Sequence, residues 1–158
     1  MKISSRGRYA LRMMLDIARH GGQESPVSLS SVSKRIGISH GYLEQLALAL
    51  RSARLIRGVA GRHGGYRLAD AASRISVRRV LEATMGPICV VDCIDDPDSC
   101  TQLDGCEFYP VYAELNRTII DVLDAFTLDD LVKRHPRSPQ RAVATPRTGA
   151  CVTVTSSF

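Results

Sequence analysis

The stretch "LSSVSKRIGISHGYLEQLALAL", Leu29 to Leu50, holds two helical periods split by a three-residue break. Leu29, Val32 and Ile36 fall on one side of a short helix spanning Ser28 to Ile36. Gly37 follows where a left-handed backbone would end that helix. Ser39 stands at the N-cap position of the next helix, which ends near Ala53 and has Leu43, Leu46, Ala47 and Leu50 as its apolar face. A turn as short as Gly37–Ser39 makes the two helices cross steeply. Small Ser33 and apolar Ile36, Ile38, Leu43 and Leu46 sit where they must touch. That is the pattern of a helix-turn-helix.

Working outward, Ser5 to His20 reads as a first helix. Tyr9, Ala10, Met13, Met14, Ile17 and Ala18 form one stripe of 3.6-residue period, and Gly21-Gly22 stops it. Its basic, amphipathic sequence resembles a transit peptide in composition, but Asp16 and the absence of a small-residue cleavage pattern favour a structural helix. After Ala53 the period shortens. "LIRGVAGRHGGYRLA", Leu55 to Ala69, gives two β-like runs around a glycine-rich tip, a hairpin that would form a wing. Further helices are expected at Ser76 to Ala83, with Val77, Val80 and Leu81 inward, and at Tyr109 to Ala125, with Val111, Leu115, Ile119, Val122 and Phe126 as a buried seam. Thr127 would cap a last short helix through Val132.

The fold class is therefore mainly α: a winged helix-turn-helix domain at 1–84, a cysteine-rich loop at 85–108, a long helix and a short terminal one at 109–134, and a flexible basic tail at 135–158. No apolar run reaches the roughly 18–20 residues that cross a membrane, so a cytoplasmic location is expected.

The net charge of +5 conceals a split. Residues 1–80 carry a net +11, residues 81–132 a net −11, and residues 133–158 a net +5. A basic module of this shape attracts a polyanion, and the acidic one would be repelled by it. In a helix-turn-helix the start of the second helix enters a major groove of double-stranded DNA. Its outward residues would be Ser39, His40, Gly41, Glu44 and Gln45. Gln45 suits adenine, and Glu44 suits cytosine. Tyr42 and Arg51 would reach phosphates, as would Arg6 and Arg8 from the first helix, each of which is as readily a plain surface cation. On the wing, Arg57, Arg62, His63 and Arg67 would follow the backbone or the minor groove. The four histidines are scattered at 20, 40, 63 and 135 with no nucleophile near them in sequence, which argues against an enzyme.

Four of the five cysteines crowd into "CVVDCIDDPDSCTQLDGC", Cys89 to Cys106, among five aspartates. The spacing Cys89-x₃-Cys93-x₆-Cys100-x₅-Cys106 is poor for structural zinc, which favours close pairs. Stable disulfides do not suit a reducing compartment. An iron–sulfur cluster tolerates one wide loop, and a bare thiol switch also fits. Spacing alone favours the cluster and leaves thiol and zinc switches open.

"MKISSRGRYALRMMLDIA", "ISHGYLEQL", "GRHGGYRLA" and "ISVRRVLEA" resemble, in order, the signature stretches of the IscR-type transcription regulators, over about residues 1–132. The resemblance implies a homodimeric DNA-binding regulator, most often a repressor. It implies a long C-terminal dimerisation helix at about Tyr109 to Ala125, and a 2Fe–2S or 4Fe–4S cluster on Cys93, Cys100 and Cys106. The chain departs from the family at the fourth ligand. Tyr109 stands where one branch has histidine, and Arg8 where another draws an acidic ligand from the partner chain. Cys89, Glu107, a neighbouring aspartate or a small exogenous ligand would fill that place. Cys151 reads as a spare thiol.

Overall fold

In the computed structural model, which describes residues 2–134, helix α1 covers Ser5–His20. The tail expected to be flexible, with Cys151, lies outside the described residues. Ser4 caps α1 by accepting the Gly7 N–H at 3.2 Å. Ala10, Met13, Met14 and Ile17 are fully buried along the expected stripe. Asp16 lies on the same stripe and is buried as well.

Helix α2 spans Leu29–Ile36, one residue shorter than expected because Ser28 is its cap, accepting the Ser31 N–H at 3.2 Å. Gly37 ends it with φ +70°, the left-handed conformation in which a side chain is strained. Across the turn the Ser33 hydroxyl donates to the Ile38 carbonyl at 2.6 Å and ties α2 to the entry of α3, His40–Ser52. Ser39 occupies the N-cap position of α3, but its side chain makes no capping hydrogen bond.

Strands β1 (Ile56–Val59) and β2 (Gly65–Leu68) pair antiparallel, with Ile56 opposite Leu68 and Arg57 opposite Arg67. Val27 exchanges two hydrogen bonds with Tyr66, at 2.8 and 2.9 Å, and so fastens the wing to the entry of α2. Gly65 (φ +155°) lies so close to the Val27 carbonyl that any Cβ would collide with backbone.

Helix α4 runs Val77–Met85, with Ser76 as its cap and Gly86 at φ +86° beyond its end. The expected start at Ser76 becomes a cap, and the helix continues two residues past the expected end. The segment that follows is not plain loop. It holds one helical turn, α5 (Asp92–Asp95), and 3-10 turns at Pro97–Ser99 and Leu103–Gly105. Then come α6 (Tyr109–Ala125) and α7 (Leu128–Lys133), the latter opened by a capping box between Thr127 and Asp130.

The main core gathers α1, α2, α3 and the wing strands, and it includes Val80 of α4 and Leu128 of α7. A second cluster of Val77, Leu81 and Ile88 receives Ile119, Leu123, Phe126 and Leu131. The expected seam of α6 is therefore corrected. Ile119 and Phe126 pack inward, whereas Val111, Leu115 and Val122 are 61, 48 and 52% exposed. The latter three lie within about 80° of Ile119 on a helical projection, so they edge the same apolar arc on a side that this chain leaves bare. No helix among the described residues is long and apolar enough to cross a membrane.

The helix-turn-helix is held to α1 by a paired charge. Arg35 of α2 donates from Nε and Nη2 to both oxygens of buried Asp16, at 2.6–3.1 Å. These bonds raise the Arg35 guanidinium above its ordinary pKa, against the opposing effect of its own burial. Asp16→Ala is expected to lose about 2 kcal/mol, the worth of charged hydrogen bonds to a buried acceptor. Thermal unfolding followed by circular dichroism should show a midpoint about 5–10 °C lower.

Candidate nucleic-acid interface and cysteine loop

The outer face of α3 is set by what its inner face buries. Leu43, Leu46, Ala47 and Leu50 are fully buried, which turns Ser39, His40, Gly41, Glu44, Gln45 and Arg51 outward, all exposed. Nothing lies within 4 Å of the place a Gly41 Cβ would take, so the backbone there is open to close approach. Glu44 is within 3.6 Å of His40 Nδ1 one turn earlier. Tyr42 is half-buried and meets Tyr9 edge to face at 5.9 Å, so its ring braces α1 against α3 while its edge reaches the surface. Arg8 is exposed and donates to the Ser5 hydroxyl at 3.0 Å. Leu48, 60% exposed, shares the outer face of α3, and the sequence reading passed over it. Its spacing four residues after Glu44 was the available signal.

The wing presents cations without anions. Among the described residues Arg57, Arg62 and Arg67 make no salt bridge. Arg57 and Arg67 are directly opposed across the hairpin, and the Arg67 Nε is buried with no hydrogen-bond partner. Like charges opposite one another destabilise a strand pair, and a buried donor without an acceptor is costly. An anion such as a phosphate would offset both. Arg62 and His63 are exposed at the tip.

All four thiols of the cysteine loop are unpaired and half-buried. Cys93 sits in α5, and Cys100 and Cys106 each end a 3-10 turn. Cys100, Cys106 and exposed Glu107 line one open cleft beside Phe108, and Cys89 and Cys93 lie outside it. Among the described residues no three His, Cys, Asp or Glu side chains converge closely enough to hold a metal ion. The donor set suits an iron–sulfur cluster: three soft, free, half-buried thiols on one segment. They are not preassembled, and the segment must rearrange to bring the three together.

A polar clasp joins α6 to the start of α4 and so to the winged helix-turn-helix, the reading head. Ser76 donates to Asp124 Oδ1 at 2.8 Å, and Arg78 Nη1 donates to Asp124 Oδ2 at 3.1 Å. Arg78 also donates to Glu82 at 3.0 Å, and these carboxylates, Glu82 first, raise its guanidinium above the ordinary range. The Val77 N–H donates to the Phe126 carbonyl at 2.8 Å, and the Leu128 N–H to the Ile75 carbonyl at 2.9 Å. The sequence reading missed Asp16 and Asp124. Both are acids beside an apolar stripe, a position that calls for a partner.

The sequence profile of a family described as "Rrf2: Iron-dependent Transcriptional regulator" matches residues 3–134. The chain is 38% identical to Protein rrf2 of Nitratidesulfovibrio vulgaris over 142 residues, which cover 90% of this chain and 94% of that one. It is 41% identical to the HTH-type transcriptional regulator IscR of Pectobacterium atrosepticum over 132 residues, covering 84% and 79%. The structure of CymR, the global cysteine regulator of B. subtilis, superposes with a TM-score of 0.70 at 32% identity, covering 85% of this chain and 98% of that one. The matching family and the IscR relative are described as regulators of transcription, in agreement with the reading against an enzyme.

Replacing Arg57 by Ala should weaken binding to any duplex about equally. It should also lower the slope of log affinity against log salt by about 1, the loss of one phosphate contact. Fluorescence anisotropy at several salt concentrations measures both.

Proposed function

This chain belongs to the Rrf2 family of transcriptional regulators, and on that premise we propose that it binds an operator in double-stranded DNA as a homodimer, most often repressing, under the control of an iron–sulfur cluster held by Cys93, Cys100 and Cys106. The observation that carries this reading is the position of the three free thiols, on the segment that joins α4 of the reading head to α6. When bound, a cluster of the 2Fe–2S or 4Fe–4S type supplies redox and ligand-exchange chemistry that responds to iron supply, oxidants or nitric oxide. For the fourth position Glu107 is favoured over Cys89, because it shares the cleft with Cys100 and Cys106.

Dimerisation is supported by the bare side of α6. Phe108, Val111, Leu115 and Val122 are all exposed in the single chain, and fully burying an aliphatic side chain is worth about 1.5–3 kcal/mol. A second copy of α6 would cover them. Two reading heads would then address half-sites about one helical turn apart. A DNA target and the family setting support a cytoplasmic location.

A thiol switch is the second reading, and the shared cleft of Cys100 and Cys106 favours it. On oxidation the two thiols would give up two protons and two electrons to an external oxidant and form one disulfide. A zinc switch is less favoured than either, because structural zinc prefers close cysteine pairs and the gaps here are three, six and five residues.

Protein purified without oxygen should be coloured and contain iron and acid-labile sulfide. Cys93→Ala, Cys100→Ala and Cys106→Ala should each lose colour and iron, and each should change operator affinity about tenfold, a difference of about 1.4 kcal/mol. Variants that keep their colour and iron would overturn the ligand assignment. A colourless, sulfide-free protein that loses two thiols on oxidation would favour the switch.

A further inference from the structure

Asn116 stands in the inner apolar arc of α6, between Tyr112 one turn before it and Ile119 and Ile120 one turn after. It is the one buried residue of that helix, 6% exposed. An amide placed where an aliphatic chain would pack is unfavourable unless its polar atoms are used. Asn116 Oδ1 accepts the N–H of Val90 at 3.1 Å, a bond that reaches across 26 residues of chain. Val90 follows Cys89 and precedes Cys93 by three residues.

Among the described residues, this is the one side-chain hydrogen bond that fastens residues 87–107 to the rest of the chain. Beside it, Ile88 is buried in the second cluster. From α5 to Cys106 the hydrogen bonds are local, closing one helical turn and two 3-10 turns. The arm that leads to Cys93 is thus pinned, while Cys100 hangs on a turn that holds only itself and Cys106 is tied, beyond its own turn, only to the start of α6, where its carbonyl accepts the Tyr109 N–H at 3.2 Å.

We infer that Asn116 is the positioning residue of the cysteine loop: by holding the Val90 N–H it fixes the point on α6 from which Cys93 departs, and so sets how readily that thiol reacts and how long the thiol set keeps a metal. The metal arm of this inference rests on the proposed cluster, whereas the thiol arm does not. Groups that hydrogen-bond a metal's ligands directly govern retention of the metal by roughly 10–100-fold; Asn116 acts one step further back, through Val90, so the lower end of that range is expected.

The test compares full-length wild type, Asn116→Leu, which keeps the volume and removes the acceptor, and Asn116→Asp, which keeps an acceptor in the same place. Three quantities are read: amide exchange at Val90, peptide-resolved alkylation of each cysteine by iodoacetamide in metal-free protein, and iron release to a chelator from protein loaded anaerobically. In Asn116→Leu, Val90 exchange, Cys93 alkylation and iron release should each accelerate about tenfold or more, with Cys106 alkylation within about twofold of wild type. Asn116→Asp should stay near wild type. Should Asn116→Leu fail to fold, Asn116→Ala supplies the same contrast. Fast Val90 exchange with wild-type Cys93 alkylation overturns the inference, as does an Asn116→Asp variant that behaves like Asn116→Leu. A wild type that takes up no iron sinks the cluster reading alone, and the alkylation rates still decide the role of Asn116.

Discussion

Helix α6 carries an apolar arc of which its own chain covers about half. Ile119, Leu123 and Phe126 pack on α4 and Ile88, and Val111, Leu115 and Val122 are left facing outward along one edge. The covered half makes α6 part of the same body as the helix-turn-helix, because α4 also packs along α1. The uncovered half gives that body an exposed apolar face. Everything between α4 and α6, including all four described cysteines, is strung between two helices that already touch. Beyond Val90, which Asn116 holds, the loop is tied together mainly by its own turns over that base.

The base is fixed by more than apolar contact. Asp124 takes hydrogen bonds from Ser76 and Arg78, and backbone bonds join residues 75–77 to 126–128 on both sides of the start of α4. Apolar contacts alone leave neighbouring helices some freedom to slide, whereas a pair of directed bonds at one end fixes both register and tilt. On the proposed reading, a change in the loop must reach the DNA through this junction. The coupling is then no larger than the difference in stability of the loop's two arrangements, typically about 1–3 kcal/mol for coupled sites. The clasp limits the loss along the way, because the far end of α6 cannot rotate without carrying α4.

Much of this was legible in the sequence. The helix-turn-helix was read from Leu29, Val32, Leu43, Leu46 and Leu50 with Gly37 between them, since period and breaker together leave few alternatives. The wing was read from its glycines and the change of period. The seam of α6 was only half right, because periodicity reveals an apolar arc but not what covers each side of it. Ser39 looked like a cap from its position alone, while the turn is closed by Ser33 and Gly37. The thiol-rich loop was conspicuous by composition, yet its one helical turn and two 3-10 turns are too short to show a period. Asp16 and Asp124 make bonds to residues far along the chain, Arg35 and Ser76 with Arg78, which no local pattern announces.

The thiols sit among exposed carboxylates. Asp92, Asp95, Asp96, Asp98, Asp104 and Glu107 are all exposed, and none has a salt-bridge partner among the described residues. Metal binding needs thiolates, and ionised cysteines gathered among these carboxylates would bring like charge to like charge, each pair costing about 0.5 kcal/mol at 8 Å in water. A species that brings positive charge, as iron does, would offset that cost, and a disulfide would carry no charge at all. The Debye length of about 8 Å at physiological ionic strength is comparable to the loop's own dimensions. Salt therefore weakens the repulsion within the loop only partly, while it screens the head from distant phosphates almost fully.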